Sequence, residues 1–306
     1  MRKDTKPAVS RHNRIRLSTG RKVFLVLDYL FLTLSALMCL LPLINVLAVS
    51  LSSSNAAAAG YVKLLPVEFT LSSYRYALTK PQFLTAFGIS ARRVALGYVI
   101  TMAAIILTAY PLSKEKQSFH ARGMYAWVFI VTMMFSGGLI PTYMTIRYLG
   151  LLDSIWALVL PGAVPIFNVV LMMNFFRTIP HEIEEAAFID GAGHVKTLLQ
   201  IYLPLSLPSL ATVSLFVIVN HWNSWFDGII YMNHTYNYPL QSYLRTIIIN
   251  PDLQSMTSSE QLVMKEISER TFKAAQIFLG ALPILCVYPF LQRYFMSGLT
   301  MGSVKG

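Results

Sequence analysis

Four acidic side chains, Glu182, Glu184, Glu185 and Asp190, fall within nine residues of a chain whose formal net charge is +11. Pro180 can open a helix just ahead of them, because its missing N–H is no loss in a first turn. Glu182, Glu184 and Glu185 then sit near the positive end of that helix. Ala186 and Ala187 are small enough for another surface to approach closely. Gly191 and Gly193 stop the helix and turn the chain. Val195, Leu198, Leu199 and Ile201 follow roughly on one side, and Pro204 and Pro208 lead into the next apolar run. Two readings fit: an acid-capped surface helix, or a short rigid knob that lodges in a partner and passes the partner's motion on.

Other polar residues stand out against an apolar background. Arg92 and Arg93 sit side by side at the start of an apolar run. They can snorkel to lipid headgroups or attract an anionic solute to the mouth of a path. The segment NHWNSWFDG brings together Asn220, His221, Trp222, Asn223 and Trp225. Aromatic rings and amides of this kind suit a sugar, with rings against its apolar face and amides for its hydroxyls, and an interfacial aromatic belt has the same composition. Pro161, Gly162 and Pro165 interrupt another apolar run close to Asn168 and Asn174, either as a packing kink or as broken backbone lining a transport path. No serine, cysteine or carboxylate set converges as a catalytic constellation, the histidines are scattered, and no GxxxxGK occurs to bind ATP by a P-loop. No chain of Asp, Glu or His of the sort that drives a proton-coupled pump lies within the apolar runs. Cys39 and Cys286 read as buried small hydrophobes.

The elements that position these residues are membrane helices. Of the 306 residues, 55% are hydrophobic and 13% charged, against about 25% charged in a soluble domain. Six runs reach the length of about 20 residues that a bilayer demands: Val23 to Leu51, Val94 to Leu112 (or from an alternative entry nearer Phe83), Met124 to Ile146, Ile155 to Phe176, Pro204 to Trp225 and Phe272 to Phe295. The first is too long for a signal-peptide core of about 7–15 residues. Residues 1–22 carry eight Lys or Arg against Asp4 and read as a basic cytoplasmic tail touching anionic lipid; no polar domain clusters basic residues as a nucleic-acid site would. Lys114, Lys116 and Arg122 fall on the same side, which sets both termini and the acidic stretch inside. The domain reading is a tail at 1–22, a six-helix membrane domain at 23–295 with a coupling loop at 177–203, and a cytoplasmic tail at 296–306.

The acidic stretch also carries a resemblance. Glu-Ala-Ala, three residues, Gly, nine residues, Ile, one residue, Leu-Pro is similar to the hallmark of ATP-binding-cassette importer permeases, met here at Glu185, Ala186, Ala187, Gly191, Ile201, Leu203 and Pro204. AYPLSKEK (109–116), MMFSGGLIPTYM (133–144), YPLQ (238–241) and GLTMGSVKG (298–306) resemble the carbohydrate-uptake branch, in particular its maltose-type second permease subunit, and a subgroup importing complex or acidic oligosaccharides. The resemblance implies an all-α integral membrane protein with the six-helix type I importer fold and a cytoplasmic coupling helix. It implies a bacterial plasma-membrane complex with a second permease, two ATPase subunits that hold the ATP and magnesium, and an extracellular solute-binding protein. This chain itself would bind no cofactor or metal and catalyse nothing. Its ATPase-coupling residues would be Glu184, Glu185, Ala186, Ala187, Asp190, Gly191, Ile201, Leu203 and Pro204, with Glu182–Ala192 in a cleft of the ATPase. The segment 298–306 would reach toward the ATPase interface, and Asn233 to Ser268 would meet the binding protein. Asn168, Asn220, Trp222, Asn223, Arg92 and Arg93 are the substrate-path candidates. The matches outside the loop argue against a permease for amino acids or peptides. An ion-driven transporter would need intramembrane ionisable groups and repeated halves, and a membrane enzyme a convergent reactive set.

Overall fold

A computed structural model describes residues 18–115, 117–249 and 268–302, and every regular element among them is helical. Residues 1–17 of the expected basic tail, 250–267 of the segment expected to meet a binding protein and 303–306 of the C-terminal segment lie outside the described residues. The first helix, α1 (Thr19–Ser50), is capped by the Ser18 side chain, which accepts from the Arg21 N–H. Its apolar side chains are exposed along most of its length, and only Ala48, Val49 and Ser50 are buried. A helix that is apolar all round yet packs little is one that lipid must solvate. Short helices α2 (Ser54–Ala58) and α3 (Ser72–Thr79) follow.

The central element is α4 (Pro81–Ser113), which starts with proline in its first turn, where the missing N–H costs nothing. It begins thirteen residues before the Val94 start expected from hydropathy, at the earlier of the two alternatives. Next come α5 (Arg122–Met134) and α6 (Leu139–Tyr148), bent against each other by 113°. The bend lies at the SGG segment, where Gly138 adopts φ +83°, a conformation that side chains disfavour. Helices α7 (Ile155–Val159) and α8 (Ile166–Phe176) are bent by 50° around Pro161 and Pro165. Outside the bundle stand α9 (His181–Ile189) and α10 (His194–Thr197). A π-helical turn over Leu198–Tyr202 leads to α11 (Leu203–Leu205), and an 85° bend then leads to α12 (Leu207–Asn223). The chain continues through α13 (Phe226–Tyr231) and α14 (Leu240–Ile249) to α15 (Glu269–Gly302).

Among the described residues, helices α1 and α4 and residues Glu269–Phe290 of α15 are each long and apolar enough to cross a membrane, and the count is six when each of the three bent pairs is taken as one span. The third, fourth and fifth runs are therefore broken where a hydropathy profile sees continuous segments. The last helix runs on to Gly302, past the Phe295 at which the apolar run ends.

Two clusters organise the core along α4. At one end Ile105, Ala109, Met172, Phe176, Val213 and Val217 join α4, α8 and α12. At the other, Phe83, Trp222, Leu240 and Leu244 join α4, α12 and α14. Between them Gly97 lets α12 approach: a Cβ there would lie 2.6 Å from the His221 ring. So α4 ties the two clusters together, and the two polar sites described next hang from the two ends of its stretch from Arg93 to Lys114.

Candidate functional site

At the Ser113 end of α4, Lys114 turns inward and meets Glu184 of α9, with Nζ 2.6 Å from Oε1. Tyr202, in the π-helical turn, donates its hydroxyl to Glu184 Oε2 at 2.7 Å. The ammonium also lies over two rings, 3.9 Å from the Tyr110 centroid and 4.0 Å from that of Tyr202. Tyr110, Phe176 and Tyr202 stand edge to face around it. The cage is dry, with the Glu184 side chain 4% exposed. A desolvated cation gains most from aromatic faces, and a buried ion pair stands only when its remaining polar atoms are satisfied. Burial alone would raise the Glu184 carboxyl, but the Lys114 ammonium and the Tyr202 hydroxyl outweigh it and hold the group below the usual carboxylate range.

The carbonyls left open at the end of α4 are taken by arginines. Arg177 donates to Leu112 O at 3.1 Å and Arg122 to Lys114 O at 3.0 Å. The end of α4, the end of α8, the start of α5 and the inner face of α9 are thus one hydrogen-bonded unit. Gly191 ends α9 with φ +79°, and the Ala192 N–H bonds back to Ala187 O at 2.9 Å, a left-handed cap that suits glycine. The π turn precedes Pro204, whose ring cannot accept the ordinary helical bond pattern.

The predicted coupling residues divide into two groups. Glu184 and Ala187 are buried, Ile201 and Leu203 pack against the core, and none of these four presents a free face. Glu185, Ala186, Asp190, Gly191 and Pro204 face outward, as does Glu182. The Glu185 side chain is 63% exposed and pairs loosely with His181 on its own helix. Around these acids stand bare apolar side chains: Ile183, Val195 and Ile189, the last 86% exposed. Acid, alanine and isoleucine on a rigid projection are the makings of a docking face.

Further back along α4, twelve residues in from its start, the predicted pair Arg92 and Arg93 separates. Arg93 is buried and its guanidinium grips both oxygens of Asp227 on α13, with Nη1 3.0 Å from Oδ1 and 3.3 Å from Ser224 O. Arg93 neither snorkels nor offers a free charge, because Asp227 answers it. Arg92 is exposed and lines neither of the pockets nearby. Trp222 is likewise a structural residue: it is buried and its Nε1 donates to Gly280 O at 2.9 Å, which ties α12 to α15. Asn168 is buried in α8 and lines neither pocket. Asn220 and Asn223 do reach open space. One pocket of about 390 Å³ has Asn220, Asn223, Trp225 and Asp227 in its wall. A second, of about 470 Å³, shares Asn223 and Trp225 and adds Gln241 and Arg245 over a floor from α15. Both volumes fall within the range of about 300–1,000 Å³ usual for small-molecule sites.

Sequence reasoning took Lys114 only as a topology charge and missed Tyr110, Tyr202, Asp227 and Arg245. The Lys114–Glu184 contact spans 70 residues and the Arg93–Asp227 contact 134, so no local pattern announces them. Among the described residues no group of three or more His, Cys, Asp or Glu is placed to hold a metal ion.

Comparison with known proteins places these features in context. Residues 15–300 match the profile described as binding-protein-dependent transport system inner membrane component. The polygalacturonan/rhamnogalacturonan transport system permease protein YtcP of Bacillus subtilis (strain 168) is 39% identical over 285 residues, 93% of this chain and 99% of that protein. The maltodextrin transport system permease protein MdxG of the same organism is 28% identical over 94% of this chain and 99% of its own length. A chain in the crystal structure of a bacterial ABC transporter involved in the import of the acidic polysaccharide alginate superposes with a TM-score of 0.83 at 32% identity, covering 91% of this chain and 99% of that one.

Proposed function

The chain belongs to the binding-protein-dependent transport system inner membrane components, and from that premise we propose that it is one permease subunit of an ATP-driven importer of sugars or oligosaccharides. The observation that carries this reading is the division of α9 into an inward carboxylate, Glu184, locked to the end of α4, and an outward face of Glu182, Glu185, Ile183 and Ile189 left open. A helix fastened on one side and bare on the other suits the transmission of force from a partner. The relatives' transport of polygalacturonan or rhamnogalacturonan, of maltodextrin and of alginate supports a carbohydrate as the solute. The family is one of transport subunits, so hydrolysis falls to separate ATPase subunits, which bind the ATP and magnesium.

In the mechanism, closure of the ATPase dimer on ATP draws α9 inward. The Lys114–Glu184–Tyr202 cage makes that displacement a displacement of α4. From Ser113 back to Arg93 the helix, with Pro111 in its last turn, carries it about 30 Å, the thickness of the hydrocarbon core, to the Arg93–Asp227 pair beside the pockets. The bundle then has two states, biased by the partner's nucleotide. The partners are a second permease completing the path, two ATPases on the α9 faces, and an extracellular solute-binding protein meeting the segment around Asn233 to Ser268. Both termini lie in the cytoplasm of a bacterial cell, with the basic N-terminal segment and Lys114, Arg122 and Arg177 on the inner side.

The test is reconstitution in proteoliposomes with the co-encoded permease, ATPase and binding protein. Uptake of an oligosaccharide should require ATP and the binding protein and should ignore an imposed proton or sodium gradient. Uptake driven by such a gradient without ATP would overturn the proposal.

A further inference from the structure

The two pockets at the Arg93 end share Trp225 and Asn223, and their walls differ in chemistry from the rest of the bundle. Asn220, Asn223 and Gln241 supply amides that can donate to and accept from hydroxyls. Arg245 of α14 is exposed, and its Cζ lies 5.0 Å from the centre of the Trp225 ring. Among the described residues no carboxylate pairs with Arg245. The carboxylate in the neighbouring wall, Asp227, is held by Arg93. Among the described residues the charge left open in these walls is therefore one guanidinium.

The scaffold beneath it is stiff. Ser242 Oγ donates to Trp225 O at 2.6 Å, and Arg93 donates to Ser224 O. Gly228 packs so closely that a Cβ would meet Ser242 Oγ at 2.2 Å. Trp225 is thus fixed in its backbone, and the Arg245 guanidinium lies over its ring. A guanidinium stacked on an aromatic ring keeps its edge free, and that edge is a planar fork matched to a carboxylate.

We propose that Arg245 binds the carboxylate of an acidic sugar residue in these pockets, with Trp225 as the positioning residue and Asn220, Asn223 and Gln241 bonding hydroxyls. This rests on the importer reading and narrows it to uronate-containing oligosaccharides. It also moves the acid-recognising charge from Arg92 and Arg93, where the sequence put it, to a residue of the segment between the last two crossings.

The test compares wild type, Arg245→Gln and Arg245→Lys in the reconstituted complex, with one binding protein throughout so that delivery is constant. The probes are trigalacturonate and the same trisaccharide with its carboxyls reduced to alcohols. Arg245→Gln should lower trigalacturonate uptake by at least about tenfold, the worth of one charge-assisted hydrogen bond. It should leave uptake of the reduced sugar and ATPase stimulation by the binding protein unchanged, and Arg245→Lys should restore part of the loss. Trp225→Ala should raise the KM for trigalacturonate and Trp225→Phe should largely rescue it. Trigalacturonate uptake by Arg245→Gln equal to wild type, or an equal loss with both sugars, would overturn the inference while leaving the importer reading intact. Failure of the wild-type complex to take up either sugar with ATP would overturn both.

Discussion

The stretch of α4 from Arg93 to its cap Lys114 has a buried cation at each end, and each is answered by a carboxylate on a short helix. At one end Lys114 meets Glu184 of α9, and at the other Arg93 meets Asp227 of α13. The chemistry is alike and the surroundings are not. Lys114 is wrapped in tyrosine rings, and beyond its partner lies a bare face of acids and isoleucine. Arg93 is wrapped in its own chain, and beyond its partner lie pockets lined by amides, Trp225 and Arg245. A buried ion pair is poor evidence of stability, since desolvation cancels much of its attraction. Here both pairs attach a short element to α4. The lesson is that the same fastening device holds a bare helix face at one site and a pocket wall at the other.

The largest expected effect comes from leaving one carboxylate alone. Lys114→Ala strands Glu184 in the tyrosine cage and should cost toward the lower end of about 3–5 kcal/mol, read as a fall in the thermal midpoint in detergent, together with loss of the ATPase on copurification. Arg93→Ala should lower stability similarly and impair uptake while keeping the ATPase bound. If both variants lose the ATPase, the ends are not distinct in function.

Next is Gly191. Alanine there meets no neighbour within 4 Å, so its cost is the left-handed backbone alone, about 1–2 kcal/mol, and coupled uptake should fall while the chain still inserts in the membrane. Proline cannot adopt φ +79° and loses the bond to Phe188 O, so Gly191→Pro should abolish uptake. Normal uptake by the proline variant would remove α9 from the mechanism.

Smaller still is Trp222→Phe. It deletes one buried bond, to Gly280 O, at about 1 kcal/mol, with no change in which sugars are taken up. A changed sugar preference would return Trp222 to the solute path.

The smallest effect concerns pH. The Glu184 carboxyl is held below its usual range, so its contribution is complete above the ordinary Glu value of about 4.3 and is lost only as pH falls through the lower folded value. Retention of the ATPase should therefore be flat between pH 8 and 6, and a decline across that interval would contradict the ionised cage.

The parts legible in the sequence are those set by near neighbours. Apolar runs announced the crossings, Pro161 and Pro165 announced the break in the fourth, and the acids, alanines and Gly191 announced a capped helix. Facing was not legible. Glu184 and Glu185 are adjacent and differ by about 100° of helical rotation, which is decided only by Lys114 on a distant helix. Trp222 and Trp225 look alike in NHWNSWFDG, but α12 ends between them, so one packs against α15 and the other enters a pocket. Arg245 lay in a stretch read as an outer segment, and its role follows from a ring contact that no spacing predicts.

The central claim is that α9 has a fastened side and a docking side. Glu185→Lys, against Glu184→Ala as its contrast, tests it most directly when each is copurified with the partner permease and the ATPase. The account predicts that Glu185→Lys keeps its thermal midpoint, since an exposed substitution costs under about 0.5 kcal/mol, keeps the partner permease and sheds the ATPase, while Glu184→Ala lowers the midpoint. Full retention of an active ATPase by Glu185→Lys would contradict it.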